Sequence, residues 1–148
     1  MPEVTPISSR KSDHLRINQS EDVDSGLSTG LEQYRFIHRA LPELDLDQVD
    51  LSVTIFGKQL QAPILISSMT GGTEEAAAIN RILAEAAQVT GIAMGLGSQR
   101  AAIEHPELAT TYQVRQCAAD CLLFANLGSI QLNYNYGIEH CLRAGEMV

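Results

Sequence analysis

Small, hydrogen-bonding and glycine residues follow three apolar runs of this sequence. They occupy residues 67–72 (Ser-Ser-Met-Thr-Gly-Gly), 97–100 (Gly-Ser-Gln-Arg) and 126–131 (Asn-Leu-Gly-Ser-Ile-Gln). The carboxyl ends of parallel strands share one rim of a sheet, and ligands bind at that rim. The pattern therefore predicts a site for a broad, polar, planar ligand that the backbone approaches closely.

Two groups of cations are candidates for binding phosphate or carboxylate. Arg100 follows an apolar run, where a rigid strand end would hold its planar guanidinium in place. Arg10 and Lys11 precede His14 in a polar segment that could order over an anionic ligand as a lid. Two plainer interpretations stay open: Arg100 in a surface ion pair, and residues 10–14 as a solvated charge cluster.

The glycines and the amide in these segments also have two interpretations. Gly71 and Gly72 would let backbone N–H groups approach an acceptor, but an ordinary βα turn uses the same residues. Asn126 could hydrogen-bond a ring of the ligand or satisfy the end of a strand. Neither the dinucleotide fingerprint nor the P-loop motif occurs, which disfavours those two classes of site.

The elements that must position these residues repeat at intervals of about 30 residues. Apolar runs at 62–66, 92–96 and 122–125 are continuous, as expected of parallel strands buried on both faces. The first is followed by a helix from Thr73 to about Gly91, and the second by a helix from about Pro106 to Ala119. The third precedes a helix from about Tyr136. That helix would place five residues on one face: Ile138, Cys141, Leu142, Gly145 and Val148.

This order of strand, loop and helix predicts right-handed βα units and a parallel sheet, hence an α/β fold. A doubly wound sheet and a (β/α)8 barrel both fit, and three units alone favour the smaller, doubly wound domain. Residues 62–148 would form these units. Residues 1–30 are interpreted as a polar, flexible arm, and residues 31–61 as a weak helix at 31–39 followed by a hairpin that turns at Gly57-Lys58.

Composition narrows the class of protein. The chain has 148 residues, of which 45% are hydrophobic and 19% charged, as in globular proteins. A formal net charge of −8 argues against a general nucleic-acid role. The sequence has neither an apolar run of membrane-spanning length nor a signal peptide, so we expect a cytoplasmic protein without a membrane partner. In that compartment Cys117, Cys121 and Cys141 are expected to be reduced, buried thiols.

Four segments stand in a distinctive order along the chain. They are Arg10-Lys11-x-x-His14, Ala62-Pro63-Ile64-x-Ile66-x-x-Met69-Thr70-Gly71-Gly72, Gly97-Ser98-Gln99-Arg100 and Ala125-Asn126-Leu127-Gly128, and residues 130–137 add to the pattern. Together they resemble the type 2, flavin-dependent isopentenyl-diphosphate isomerase family. The resemblance covers the chain from about residue 8 and favours the barrel over the doubly wound sheet.

The resemblance implies an FMN-dependent (β/α)8 barrel that interconverts isopentenyl and dimethylallyl diphosphate. Reduced flavin would be the acid–base element, with NADPH as reductant and Mg2+ required. The full-length enzyme would be a homo-oligomer acting on a small-molecule diphosphate. Matching motifs assign the substrate diphosphate to Arg10, Lys11, Ser98, Gln99 and Arg100. They assign FMN to Ser68, Met69, Thr70, Ser98 and Asn126.

One family motif, His-Leu-Asn-x-Leu-Gln-Glu, would begin just after Val148. It carries the catalytic Gln and the metal-binding Glu, so no catalytic residue and no metal ligand is expected within this chain. Three of eight strands would also leave an apolar sheet edge exposed. We therefore expect the isolated chain to lack isomerase activity and to bind FMN weakly or not at all.

Two alternatives remain. One is another FMN barrel, of the glycolate oxidase or IMP dehydrogenase kind, which shares the Ala62-Pro63 strand entry. The basic residues near position 10 and the segment 97–100 weigh against it. The other is a non-catalytic remnant, or a half-barrel that must pair with a partner chain.

Overall fold

A computed structural model describes residues 7–148, with side chains from residue 9 onward. Its helices and strands are α1 (Ile7–Ser20), β1 (Val53–Ile55), β2 (Lys58–Leu60), β3 (Leu65–Ile66), α2 (Glu74–Thr90), β4 (Ala93–Gly95), α3 (Arg100–Glu104), β5 (Leu123–Phe124) and α4 (Ile138–Glu146). Short 3₁₀ helices lie at Leu31–Gln33, Leu46–Gln48, Pro106–Tyr112 and Ser129–Tyr134. Within residues 7–148, no helix has the length and apolarity that a membrane crossing requires.

The three predicted buried strands form one parallel sheet in the order β3-β4-β5. Leu65 lies opposite Ala93, and Met94 lies opposite Leu123. Only β4 is buried along its whole length, because it alone has a neighbouring strand on each side in this part of the chain. The α/β class and the parallel order are confirmed, whereas burial on both faces was wrong for the partly exposed β3 and β5.

Helix α2 has both of its predicted ends. The Thr73 hydroxyl accepts a hydrogen bond from the N–H of Ala76 at 3.1 Å, which satisfies a free donor of the first turn. Gly91 ends the helix in the left-handed conformation, and its N–H donates to the carbonyl of Ala87. The buried face of α2 packs on the sheet and on the 3₁₀ helix Pro106–Tyr112.

The predicted second helix, from Pro106 to Ala119, was wrong. The structure has the short helix α3 before Pro106, a 3₁₀ helix after it, and irregular backbone beyond. Tyr112 and Val114 are both buried, whereas a helix with one buried face would expose one of two residues that lie two positions apart. Arg115 holds the irregular segment by donating to the carbonyls of Ala118 at 3.1 Å and Cys121 at 2.8 Å.

The segment before β3 differs from the prediction in two respects and agrees in a third. The expected flexible arm contains helix α1, while the weak helix expected at 31–39 is reduced to the turn Leu31–Gln33. The predicted hairpin is confirmed, because β1 and β2 pair antiparallel with Thr54 opposite Gln59. Residues 1–6 of the expected arm lie outside the described residues.

Helix α4 exposes most of the face that was predicted to be apolar, and of that face only Val148 packs against the core. Ala144 is buried, and Met147 and Val148 pack against the core, whereas Ile138 and Leu142 are exposed. All three thiols are free; Cys121 is buried, Cys117 is half-buried and Cys141, on α4, is exposed, so the expectation of a buried thiol was wrong for Cys141.

The cap of α2 gives a prediction about stability. Replacing Thr73 with Ala removes the oxygen that accepts the Ala76 N–H, so we expect the free energy of unfolding to fall by about 1 kcal/mol. Thr73→Ser, which keeps the hydroxyl, should retain most of this stability. Chemical denaturation followed by circular dichroism measures both variants. Equal midpoints for the Ala and Ser variants would contradict the role of the cap.

Candidate functional site

Three loops meet at the carboxyl end of the parallel sheet and form a rim. They are residues 67–72 after β3, residues 97–99 after β4 and residues 126–128 after β5. The N–H of Gly97 donates to the carbonyl of Thr70 at 3.1 Å, and the N–H of Gln99 donates to the carbonyl of Asn126 at 2.9 Å. Backbone hydrogen bonds therefore connect all three loops, as the strand order predicted.

Helix α1 brings the basic residues near the start of the chain to this rim. Arg10, Lys11 and His14 line a cavity of about 170 Å³ together with Ser98 and Arg100. Ala101 and Gln131 complete its lining. The structure thus joins two sequence segments that were separately interpreted as anion-binding.

The charges around the cavity favour an anion. Burial, and secondly the neighbouring charge of Arg10, lower the pKa of Lys11 below its ordinary value. Arg100 donates to the carboxylate of Glu104 at 2.8 Å, and that hydrogen bond raises the pKa of the guanidinium. Arg10, Lys11 and Arg100 thus place three cations at the cavity. Among the described residues, Glu104 is the one carboxylate that forms an ion pair with any of them. A bound anion would relieve the repulsion between Arg10 and Lys11.

A second cavity, of about 410 Å³, adjoins the first and shares Arg10, Arg100 and Gln131 with it. Tyr136 lines the second cavity and donates its hydroxyl to Glu104 at 3.2 Å. Its ring stacks on His140, with 4.4 Å between the ring centroids. Tyr136 therefore packs against its neighbours and positions the carboxylate that holds Arg100.

Gln99 occupies a different position from Ser98 and Arg100. Its side chain is fully buried and is not part of the cavity lining. Neither its amide nitrogen nor its amide oxygen has a hydrogen-bond partner among the described residues. The structure therefore groups Arg10, Lys11, Ser98 and Arg100 at one cavity and places Gln99 beneath the rim.

The two glycines at the end of loop 67–72 have a packing role. A Cβ at Gly71 would overlap the ring of Tyr112, and the N–H of Gly72 donates to the hydroxyl of Thr111 at 2.8 Å. The side-chain amide of Asn80 donates to the carbonyls of Thr70 and Thr111 at 3.3 and 3.1 Å. The loop is thereby fixed against α2 and the 3₁₀ helix Pro106–Tyr112.

These supporting residues were not found from the sequence. Asn80 did leave a signal, because it is a polar residue in line with Ala76, Ala84 and Ala87 on the buried face of α2. Tyr112 left none, since its position depends on the irregular backbone around it.

Comparison with known proteins decides the family. A family model described as FMN-dependent dehydrogenase matches residues 19–116. The chain belongs to this family.

Individual members that match the chain share a name. Proteins named isopentenyl-diphosphate delta-isomerase are 64% identical over 140 residues in a Synechocystis species and 57% identical over 141 residues in a Nostoc species. A third, from Rickettsia akari, is 52% identical over 132 residues. These matches cover 94%, 95% and 89% of this chain. They confirm the resemblance found in the sequence, and the chain spans about 40% of the length of these relatives.

The rim fits the flavin of this FMN-dependent family. Ser68 and Met69 are exposed at the edge of loop 67–72, and Asn126 is half-buried across the sheet from them. Thr70 is buried, and its hydroxyl has no partner among the described residues. An exposed thioether beside hydroxyl and amide groups suits a flat ring with donors and acceptors on its edge.

The lowered pKa of Lys11 gives a prediction about anion binding. Raising the pH removes the Lys11 proton earlier than that of an ordinary lysine, so we expect the affinity for sulfate to fall as the pH rises from about 7 to about 10. Lys11→Arg keeps its charge over this range and should flatten the dependence. Isothermal titration calorimetry with sulfate, whose own charge is constant there, measures both. A steep fall that persists in Lys11→Arg would contradict this role of Lys11.

Proposed function

We propose that the protein carrying this chain isomerises isopentenyl diphosphate to dimethylallyl diphosphate. The observation that carries the proposal is the cavity at which Arg10, Lys11, Ser98 and Arg100 converge beside the flavin-compatible rim. The relatives' printed names support the reaction, and the family description supports FMN. We also propose that β3, β4 and β5, with their helices, are the first units of a (β/α)8 barrel.

In this proposal the described residues bind and orient the two ligands. Arg10, Lys11 and Arg100 neutralise the diphosphate, and Ser98 offers it a hydrogen bond. Ser68, Met69, Thr70, Ser98 and Asn126 would hold the FMN ring at the rim. The reduced flavin supplies the acid–base chemistry when bound. The catalytic Gln of the family lies in the His-Leu-Asn-x-Leu-Gln-Glu motif, outside these residues.

Other properties implied by the resemblance belong to the proposal as well. NADPH would reduce the flavin, and Mg2+ would accompany the diphosphate. Among residues 7–148 no group of three or more His, Cys, Asp or Glu side chains is arranged to hold a metal ion. We further infer a homo-oligomeric, cytoplasmic enzyme.

A second candidate function is favoured by the family description itself, which names a dehydrogenase. An FMN-dependent oxidation of a small hydroxy acid would use the same rim and a carboxylate in place of the diphosphate. Competition separates the candidates. If the cavity binds a diphosphate, pyrophosphate should displace bound sulfate at a far lower concentration than lactate or glycolate does.

Arg100 provides the main test of diphosphate binding. Replacing it with Gln removes a charge-assisted hydrogen bond, so we expect the affinity for pyrophosphate to fall about ten- to a hundredfold. Arg39→Gln, at an exposed position outside the cavity lining, is the matched control and should leave the affinity unchanged. Calorimetric titration measures the affinities, and an isomerase assay on the whole protein tests turnover. Equal affinities for the two variants would overturn the assignment of the cavity.

Thr70 provides a test of the flavin position that does not depend on activity. Its buried hydroxyl has no partner among the described residues, so Thr70→Val should raise the free energy of unfolding without FMN by about 1 kcal/mol. In the whole protein, the same change should weaken FMN binding about three- to tenfold, measured by quenching of flavin fluorescence. Thr111→Val is the control: its hydroxyl is hydrogen-bonded to Gly72 and Leu108, so that variant should lose stability. Unchanged FMN affinity in Thr70→Val would remove Thr70 from the flavin site.

A further inference from the structure

Tyr112 contacts both of the loops to which the proposed function assigns ligands. Its side chain is fully buried, and its ring fills the space beside Gly71 in loop 67–72. Its hydroxyl donates to the carbonyl of Ser98 in loop 97–99 at 2.9 Å. Because Ser98 lines the basic cavity, one side chain connects the flavin side of the rim to the diphosphate side.

The fit at Gly71 leaves the ring little freedom. A side chain at residue 71 would overlap three ring carbons of Tyr112, and a side chain at Gly72 would approach its hydroxyl oxygen at 3.4 Å. The adjacent residue, Thr111, accepts the Gly72 N–H and donates to the carbonyl of Leu108 at 2.7 Å. The 3₁₀ helix that carries Tyr112 is thus fixed to the same loop that the ring contacts.

The hydroxyl of Tyr112 is a dependable donor. Burial raises the pKa of Tyr112 to about 12, so the phenol stays protonated at physiological pH. The carbonyl of Ser98 has this phenol as its partner at the point where the backbone enters α3, whose first residue is Arg100. The position of the Ser98 and Arg100 groups at the cavity therefore depends on where the Tyr112 ring lies.

We propose that Tyr112 is a positioning residue that couples the two loops, so that a displacement of loop 67–72 at Gly71 changes anion affinity at the basic cavity through the hydroxyl–Ser98 hydrogen bond. This inference rests on the proposed diphosphate site. It assigns no contact between Tyr112 and a ligand. The coupling should appear as a non-additive effect of substitutions at residues 71 and 112.

A double-mutant cycle tests the coupling, with pyrophosphate as the probe and the whole protein that carries this chain as the sample. Tyr112→Phe keeps the ring and removes the hydroxyl, and we expect it to weaken pyrophosphate binding about three- to tenfold. Gly71→Ala forces the ring to move and should weaken binding by a similar factor. In the Tyr112→Phe background, Gly71→Ala should have little further effect, because the link to Ser98 is already lost.

Two controls separate positioning from general loss of stability. Tyr34→Phe removes the hydroxyl of an exposed tyrosine away from the cavity and should leave the affinity unchanged. Leu60→Ala removes a buried side chain from the hairpin and should lower the melting temperature without changing pyrophosphate affinity. NMR gives a further readout. In Tyr112→Phe, the change in the Ser98 amide chemical shift on adding pyrophosphate should decrease more than the change in the Lys11 amide chemical shift.

Each outcome distinguishes this inference from the function on which it rests. If the unmodified whole protein does not bind pyrophosphate, the diphosphate site itself fails. If it binds and Tyr112→Phe binds equally well, or if the two substitutions act additively, the coupling is overturned. Should Gly71→Ala not fold, the comparison of Tyr112→Phe with the unmodified chain decides the question alone.

Discussion

Residue 97 lies so close to the backbone of Thr70 that no side chain fits between them. The close approach lets the Gly97 N–H reach the Thr70 carbonyl, and two residues later the Gln99 N–H reaches Asn126. Main-chain hydrogen bonds thus connect the three loops directly. Because these bonds involve no side chain, Ser68, Ser98 and Asn126 remain available for a ligand. The rest of the site depends on this glycine, since α1 and its cations dock onto the rim that it holds together.

The parts of the fold that could be predicted are those determined by nearby residues. Both ends of helix α2 were predicted correctly because its cap hydroxyl and its terminal glycine are local signals. The hairpin was also predictable, from its alternating apolar and polar residues and the turn at Gly57. The segment after Pro106 was not, because burial of Tyr112 and Val114 is decided by contacts with distant residues. Tertiary packing overrode the helical pattern there.

The same distinction between nearby residues and distant contacts applies to the candidate site. The order of polar residues after each strand was sufficient to predict a common rim, since parallel strands end on one edge of a sheet. The meeting of Arg10 and Lys11 with Arg100 was suggested by resemblance and has a geometric basis in α1. The helical form of α1 escaped prediction because its sequence is polar and gives little amphipathic signal. The residues that brace the loops, Thr111 and Tyr112, are visible only once the loops are packed together.

Helix α1 has few buried contacts with the remainder of the chain. Among its described residues only Leu15 is buried and only Lys11 is partly buried, and the others are exposed. One apolar side chain contributes only a few kcal/mol of docking free energy, roughly 1.5–3 on transfer scales. An anion that bridges Lys11 and Arg100 would add a comparable amount, so occupancy of the cavity and docking of the helix are thermodynamically linked. The linkage is reciprocal: the factor by which a bound anion favours docking of the helix is also the factor by which docking raises the affinity of the cavity for the anion.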